Sequence, residues 1–246
     1  MSLPVFHAPV VSGAVAGGIV EVDGDEARHA VVVRRIRVGE RVALTDGSGT
    51  TAVGVVTATT KSSLAATVEQ VLRVPAETPR LLVVQAIPKG DRGELAVEML
   101  TEVGADVVVP WAASRSVAVW RGERAAKSLA KWRNTAREAA KQSRRAWFPE
   151  VTEMASTAEV VDLLGAAALS VVLHEAASSP LAALEVPARG DLVVVVGPEG
   201  GITEEEIAVF EAAGARPLRL GSSVLRTSTA GVAAAAALLS RTPRWH

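Results

Sequence analysis

The sequence predicts an α/β protein with a parallel sheet, preceded by a smaller domain of short strands. Three observations favour this fold class. Before residue 74, short apolar runs are separated by Gly-containing turns. From residue 80 onward, strand-like and helix-like segments alternate. Near the C-terminus two apolar runs, 192–196 and 218–220, each end in a Gly-containing turn that opens into a helix, and two such turns form a ligand crevice at the ends of neighbouring strands.

The first segment, residues 1–74, is predicted to be a small β-barrel. Residues 26–35 form a predicted short helix within it. Residues 75–79 begin and end with proline and are predicted to be a linker. The turns of the barrel are expected at Gly17-Gly18, Asp23-Gly24, Gly39 and Asp46-Gly47.

Residues 80–246 form the predicted α/β domain. The β-branched run 192–196 is expected to be a strand that is buried on both faces. Strands are predicted at 81–87, 106–110, 169–173, 192–196 and 217–220, and helices at 92–103, 123–144, 157–166, 203–213 and 227–240.

The composition predicts a globular protein without disulfides or a metal site. The chain has 246 residues, of which 49% are hydrophobic, so a sizeable core is expected. It has no cysteine, and its four histidines lack the spacing of metal ligands. There is no run of 18 apolar residues and no signal-like N-terminus, so we expect a soluble, cytoplasmic protein that has no membrane partner.

The charge is distributed unevenly along the chain. The formal net charge is −1, but the segment from Arg115 to Arg145 contains ten basic and two acidic residues. Residues 28–41 contain five arginines and one acid, Glu40. Such basic blocks favour phosphate binding, whereas the alternative is a solvated helix face.

The turn at 197–201 is suited to a ligand other than a phosphate. Gly197, Gly200 and Gly201 allow a sharp turn and a close approach to a ligand. Glu199 would repel a pyrophosphate and Pro198 lacks an amide donor, so a cationic or neutral ligand is favoured. A capping box formed by Thr203 and Glu206 predicts that a helix starts directly after this turn. The alternative is a plain strand–turn–helix connection.

The second turn follows a short strand that ends near Leu220. Gly221 and Ser222 break this strand, and residues 224–230 lead into an Ala-rich helix. The helix entrance holds Arg226 and the three hydroxyls of Thr227, Ser228 and Thr229. A helix cap uses only one hydroxyl, so this polar cluster indicates a binding loop.

At this point the chain resembles the RsmE-type 16S ribosomal RNA methyltransferases of the SPOUT superfamily. The resemblance rests on GPEGG at 197–201 and on LxLGxxVLRTxTA at 218–230, and it extends over nearly the whole chain. Further matching blocks are His29 with 33–35, 39–40, 46–49, 88–92, 101–104, 115–116, 139–145 and 149–151. The chain departs from the family pattern at Arg34, Met99, Ser223 and Ser228.

The resemblance implies a SPOUT-like domain with a trefoil knot and a PUA-like N-terminal domain that binds RNA. It also implies an S-adenosyl-L-methionine-dependent enzyme that methylates N3 of a uridine in small-subunit rRNA, free or within the ribosomal subunit. Relatives pair through the region of the small-residue run 231–237, so a homodimer is expected.

Individual roles follow from the resemblance and from the chemistry of the reaction. Arg226 is the first candidate for stabilising the uracil anion. Glu199 is a candidate base, the alternative being a loop carboxylate bonded to backbone amides. Arg92 is a candidate for charge stabilisation or for phosphate binding. The expected cofactor-binding residues are Leu173, His174, Gly197, Pro198, Glu199, Gly200, Gly201, Leu220, Gly221, Ser222, Leu225, Arg226, Thr227 and Thr229. The expected RNA-binding residues are His29, Arg34, Arg35, Lys89, Arg115, Lys141, Gln142, Arg144 and Arg145.

Two other functions remain open from the sequence. One is a SPOUT methyltransferase that acts on the ribose 2′-hydroxyl of tRNA or rRNA. The other is a non-catalytic RNA-binding assembly factor that keeps a degenerate cofactor pocket. Cofactor binding and the identity of the modified nucleoside distinguish these functions.

Overall fold

The computed structural model describes residues 3–118 and 120–245 and divides into two compact units. The N-terminal unit comprises Met1–Ala76 together with Ala140–Phe148. The C-terminal unit comprises Glu77–Ala139 and Pro149–His246.

The N-terminal unit is built on a five-stranded sheet with the order β1-β3-β4-β5-β2. Alternating small and β-branched residues line its buried face, around Phe6, Leu44 and Leu64. In place of the predicted helix 26–35, a short α-helix is followed by a π-helical turn at His29–Val33. The elements are β1 Val5–His7, β2 Ile19–Asp23, α1 Gly24–Arg28, β3 Arg41–Thr45, β4 Thr50–Thr59 and β5 Ser63–Arg73.

Residues 140–148 pack in the N-terminal unit, although the sequence placed them within the domain 80–246. The Phe148 amide donates to the Gly47 carbonyl over 2.8 Å, and the Trp147 indole donates to the Val74 carbonyl over 2.8 Å. Gly49 has a φ of +97°, and a Cβ there would lie 2.8 Å from the Trp147 ring. The predicted turn at Asp46-Gly47, together with the following Ser48-Gly49, therefore packs against a distant segment of the chain, which turn propensity alone does not reveal.

The C-terminal unit is a six-stranded, fully parallel sheet with the order β11-β9-β10-β6-β7-β8. Its strands are β6 Arg80–Ala86, β7 Val107–Trp111, β8 Glu150–Val151, β9 Leu169–Leu173, β10 Asp191–Val196 and β11 Arg216–Leu218. The helices are α2 Arg92–Val103, α3 Glu123–Gln142, α4 Thr157–Ala166, α5 Glu204–Ala212 and α6 Thr227–Leu239.

Both faces of this sheet are buried, as the continuous apolar run of β10 predicts. One core surrounds Val83, Leu100 and Leu238, and the other surrounds Trp111 and Phe210. The alternation of strands and helices that the sequence predicts is confirmed. The two-residue edge strand β8 was not predicted, and β11 ends at Leu218 rather than at Leu220, since the chain turns away to bridge residue 180 at Arg219.

In the part of the chain that the structure describes, no helix is both long enough and apolar enough to span a lipid bilayer.

Candidate functional site

The carboxyl ends of β9 and β10 and the start of α6 surround a cavity of about 470 Å³ in the C-terminal unit. A second cavity of about 130 Å³ adjoins it and shares Leu173, His174 and Leu225. The larger cavity is lined by Arg92, Arg115, Leu173, His174, Glu175, residues 196–202, residues 224–227 and Ala230. The smaller cavity adds residues 218–223. Two turns that follow parallel strands therefore form one crevice, as the topology predicts.

The turn at 197–201 is fixed by contacts within the protein. A Cβ on Gly200 would lie 3.1 Å from both the Cβ and the carbonyl oxygen of Arg115, and Gly201 has a φ of +75°. A Cβ on Gly197 would lie 2.7 Å from Ile202. The segment at Arg115 therefore leaves little room for a side chain at Gly200, which also lines the cavity, so the predicted close approach of a ligand at this glycine stays a prediction.

Thr227 joins the second turn to the first. Its hydroxyl donates to the Gly197 carbonyl over 2.8 Å and accepts from the Gln85 side-chain amide over 3.0 Å. Thr227 and Gln85 are both buried. The threonine therefore ties the start of α6 to the ends of β6 and β10, and the end of β10 lines the cavity.

Arg226 is the N-cap residue of α6, and its exposed side chain lies on the larger cavity. The hydroxyl and the amide of Thr229 are bonded to the Arg226 carbonyl at 3.2 and 2.9 Å. Thr229 lines neither cavity, and its hydroxyl is hydrogen-bonded within the first turn of the helix. All the other predicted cofactor-binding residues line one cavity or both.

Glu199 is held by the segment that follows β6. Its Oε1 accepts from the Lys89 amide at 3.3 Å and lies 3.6 Å from Arg92 Nη1. The two candidate catalytic residues Glu199 and Arg92 thus form an ion pair with each other at the cavity. Lys89 reaches this site through its backbone, while its exposed side chain remains a candidate RNA contact.

Glu206 was predicted only as a helix cap, and it has a second role. The capping box with Thr203 is confirmed. In addition, Glu206 Oε1 accepts from the Ser114 amide at 2.8 Å and from the Thr157 hydroxyl at 3.4 Å. This buried carboxylate therefore fastens the segment before Arg115 to the start of α5, and Arg115, expected from the sequence to bind RNA, lies on the cavity.

The remaining predicted RNA-binding residues lie in the N-terminal unit. Arg34, Arg35, Gln142 and Arg144 are exposed there, while His29 and Arg145 are half-buried. Arg35 and Arg144 have φ values of +58° and +57°, a left-handed conformation that is uncommon for residues other than glycine.

Lys141 does not fit the expected RNA-binding surface. It is buried, and its ammonium is bonded to both carboxylate oxygens of Glu26 at 2.9 and 3.1 Å. The basic block predicts that Lys141 is an exposed cation. Its acidic partner Glu26 lies 115 positions away in the sequence, so the sequence pattern does not reveal the pair. The predicted RNA contact of Lys141 is therefore wrong on structural grounds.

Comparisons with known proteins identify the relatives of this chain. An RNA methyltransferase domain model matches residues 76–239, and an RNA methyltransferase PUA domain model matches residues 22–69. The ribosomal RNA small subunit methyltransferase E of Mycobacterium bovis is 46% identical, over 93% of this chain and 89% of the relative.

Two solved structures resemble the whole chain. The ribosomal RNA small subunit methyltransferase E of Neisseria gonorrhoeae, bound to S-adenosyl methionine, aligns with a TM-score of 0.88 at 28% identity, over 97% of this chain and 98% of that one. A Legionella pneumophila protein solved in complex with the bound cofactor S-adenosyl methionine aligns with a TM-score of 0.89 at 28% identity, over 98% and 99% of the two chains. The sequence, the fold and the crevice at the strand ends together place this chain in the ribosomal RNA small subunit methyltransferase E family.

Proposed function

We propose that this protein transfers a methyl group from S-adenosyl-L-methionine to N3 of a uridine in 16S ribosomal RNA. The observation that carries the proposal is the single crevice formed by the turn at 197–201 and the loop at 220–227, the two segments whose sequences are typical of the family. The same chain carries exposed arginines in a separate unit that matches a PUA domain model.

The crevice fits the proposed cofactor in size and chemistry. A volume of about 470 Å³ is within the roughly 300–1,000 Å³ of ordinary ligand sites. Leu173, Val196 and Leu225 offer apolar surface for an adenine ring, and the peptide groups of both turns offer donors and acceptors. The carboxylate of Glu175 suits a ligand that carries positive charge.

Bound in this crevice, the cofactor would supply an electrophilic methyl group. The residues of the chain then have to place the uracil, remove the N3 proton and stabilise the negative charge that spreads onto O2 and O4. The side chains of Arg226 and Arg115 line the cavity and are suited to this stabilisation.

The contacts of Glu199 favour a positioning role. Its carboxylate already accepts a hydrogen bond from the Lys89 amide and is paired with Arg92. As a base it would have to give up these partners. We therefore propose that the Arg92–Glu199 pair holds the turn at 197–201 in place and that another group, or water, removes the N3 proton.

We propose that the exposed arginines of the N-terminal unit bind the RNA. The substrate would be 16S rRNA, either free or within the small subunit, and the reaction would take place in the cytoplasm. Replacing Arg34 and Arg35 by glutamate should weaken RNA binding and reduce its salt dependence, without changing cofactor affinity. The matched variant Lys141→Glu should instead lower stability, because it places two carboxylates together in a buried site. Unchanged salt dependence in the Arg34/Arg35 variant would contradict this surface.

We also propose that the protein is a homodimer. Gly231 packs within the chain, since a Cβ there would lie 3.2 to 3.4 Å from Val196, Leu100 and Val83. Val232, Ala233, Ala236 and Ala237 on the same helix remain half-exposed and small enough for close contact with a second copy. Light scattering at micromolar concentration tests this, and a monomeric mass would refute it.

The decisive experiment follows the methyl group. The protein is incubated with labelled S-adenosyl-L-methionine and with undermodified 16S rRNA or small subunits, and the modified nucleoside is identified by mass spectrometry. We expect 3-methyluridine. A 2′-O-methylated nucleoside would support the alternative SPOUT reaction, and RNA binding without methyl transfer would support an assembly factor.

A further inference from the structure

The two cavities have an excess of positive charge. Among the described residues, their lining contains the guanidinium groups of Arg92, Arg115, Arg219 and Arg226 and only two carboxylates, those of Glu175 and Glu199. The proposed cofactor also carries a net positive charge, because its sulfonium and ammonium outweigh one carboxylate. A carboxylate that is not paired with a protein cation would favour binding of such a cation.

Glu199 is committed to protein groups, and Glu175 is not. The Glu199 carboxylate is shared between the Lys89 amide and Arg92. Glu175 lies two residues beyond the end of β9, lines both cavities and is exposed, and the structure records no ion pair for its carboxylate among the described residues. His174, the other titratable residue on this strand end, lines the same two cavities.

We infer that Glu175 is a specificity-determining residue that makes the cavity prefer the positively charged cofactor over its product, which has no net charge. Methyl transfer converts the sulfonium into a neutral thioether, so the attraction to a nearby carboxylate falls once the reaction is complete. Glu175 therefore favours binding of S-adenosyl-L-methionine and release of S-adenosyl-L-homocysteine. This inference rests on the proposed function, and it adds a role to a residue that the sequence motifs do not single out.

The test compares the two ligands on a neutral, isosteric variant. Titration calorimetry gives the dissociation constants of S-adenosyl-L-methionine and S-adenosyl-L-homocysteine for the wild-type protein, for Glu175→Gln and for a control, Glu211→Gln. Glu211 is exposed on α5 and lines neither cavity, so its variant reproduces the change in net charge alone. Thermal melts of the unliganded proteins show that each variant is folded.

We expect Glu175→Gln to weaken binding of the charged cofactor by about ten-fold or more and binding of the product by less than about three-fold. The wild-type preference should shrink as salt is added. Equal weakening of both ligands would mean that Glu175 contacts a part they share, and would overturn the inference, as would no change in either. A wild-type protein that binds neither ligand would instead refute the proposed function.

Discussion

Arg226 and Thr227 are adjacent in the sequence, yet they face opposite environments. The Thr227 side chain is buried and bonded to Gln85 and Gly197, while the Arg226 side chain is exposed on the cavity. The backbone of Arg226 caps α6, so its position is fixed while its guanidinium stays available. At the scale of single residues, Thr227 therefore holds the crevice together, while the side chain of Arg226 remains available for catalysis.

Replacing Arg226 by alanine should lower the methylation rate by ~100-fold or more, the usual scale for losing a group that stabilises an oxyanion. Affinity for the cofactor should change little, because the interaction strengthens in the transition state. Arg226→Lys should restore only part of the rate, since an ammonium cannot replace a planar fork of donors. Single-turnover kinetics and calorimetry measure the two effects. Parallel losses of rate, affinity and thermal stability would show instead that Arg226 braces the loop.

Thr227→Val should lower the free energy of unfolding by about 1–3 kcal/mol, because it leaves the buried Gln85 amide and the Gly197 carbonyl with fewer partners. It should also weaken cofactor binding, since the two turns lose their link. Urea denaturation and calorimetry measure these quantities. The matched control is Thr229→Val, since among the described residues the exposed Thr229 hydroxyl bonds only to the Arg226 carbonyl. Equal effects of the two substitutions would argue against the link.

At the scale of elements, the N-termini of α4 and α5 are each fixed by side-chain hydrogen bonds. Helices α4 and α5 both begin with a complete capping box, at Ser156 and at Thr203. Hydrogen bonds from Ser156 hold the pKa of the Glu159 carboxyl below its ordinary value. A group with a lowered pKa stabilises the fold above its ordinary pKa and loses that contribution as the pH falls through the lowered value. The α4 cap should therefore weaken only in acid.

Glu206→Ala should destabilise the C-terminal unit by about 1–3 kcal/mol, because the amides of Ser114 and Thr203 each lose an acceptor. It should also lower the methylation rate, since the segment that carries Arg115 is no longer fastened to α5. The control is Glu204→Ala, an exposed residue of the same first helical turn. Urea denaturation and single-turnover rates measure the result, and a rate equal to that of the control would exclude a positioning role for Glu206.

The sequence predicts those parts of the site that depend on neighbouring residues. The capping box at Thr203, the turns at 197–201 and 221–222 and the elements between them follow from local patterns. Contacts between distant segments do not: the amide of Ser114 on Glu206, the Lys141–Glu26 pair and the packing of Phe148 on Gly47 join residues about 90 to 115 positions apart. The role of Glu175 could not be predicted for a similar reason. A single acidic residue after a strand is not a motif, and only the folded structure shows that it lines the cavity.

At the scale of the whole molecule, Arg244 links segments of the C-terminal unit that are far apart in the sequence. Its side chain is only 2% exposed, and it pairs with Asp106 and Glu77, each at 2.6 Å. It also donates to the carbonyls of Pro79 and Gly104 at 3.0 and 2.8 Å. One guanidinium thus joins the entry to β6 and the connection between α2 and β7.

Arg244→Ala should lower the stability of the C-terminal unit by about 3–5 kcal/mol, because it removes a buried guanidinium that pairs with two carboxylates and two carbonyls. The exposed Arg189 provides the control, and Arg189→Ala should leave stability nearly unchanged. Calorimetric melts measure both, and they are best analysed with separate transitions for the two units. Similar melting curves for the two variants would show that the Arg244 cluster contributes little.

The position of β6 between β10 and β7 affects how the protein is made. Arg80 on β6 pairs with Asp191 on β10, 111 positions later in the chain. At about 5–20 residues per second, a nascent chain carries β6 for roughly 5–20 s before that partner is synthesised. Meanwhile the apolar strand Leu81–Ala86 has an unpaired edge, which is a known route to aggregation. The nascent chain is therefore expected to be prone to aggregation until β10 has been synthesised.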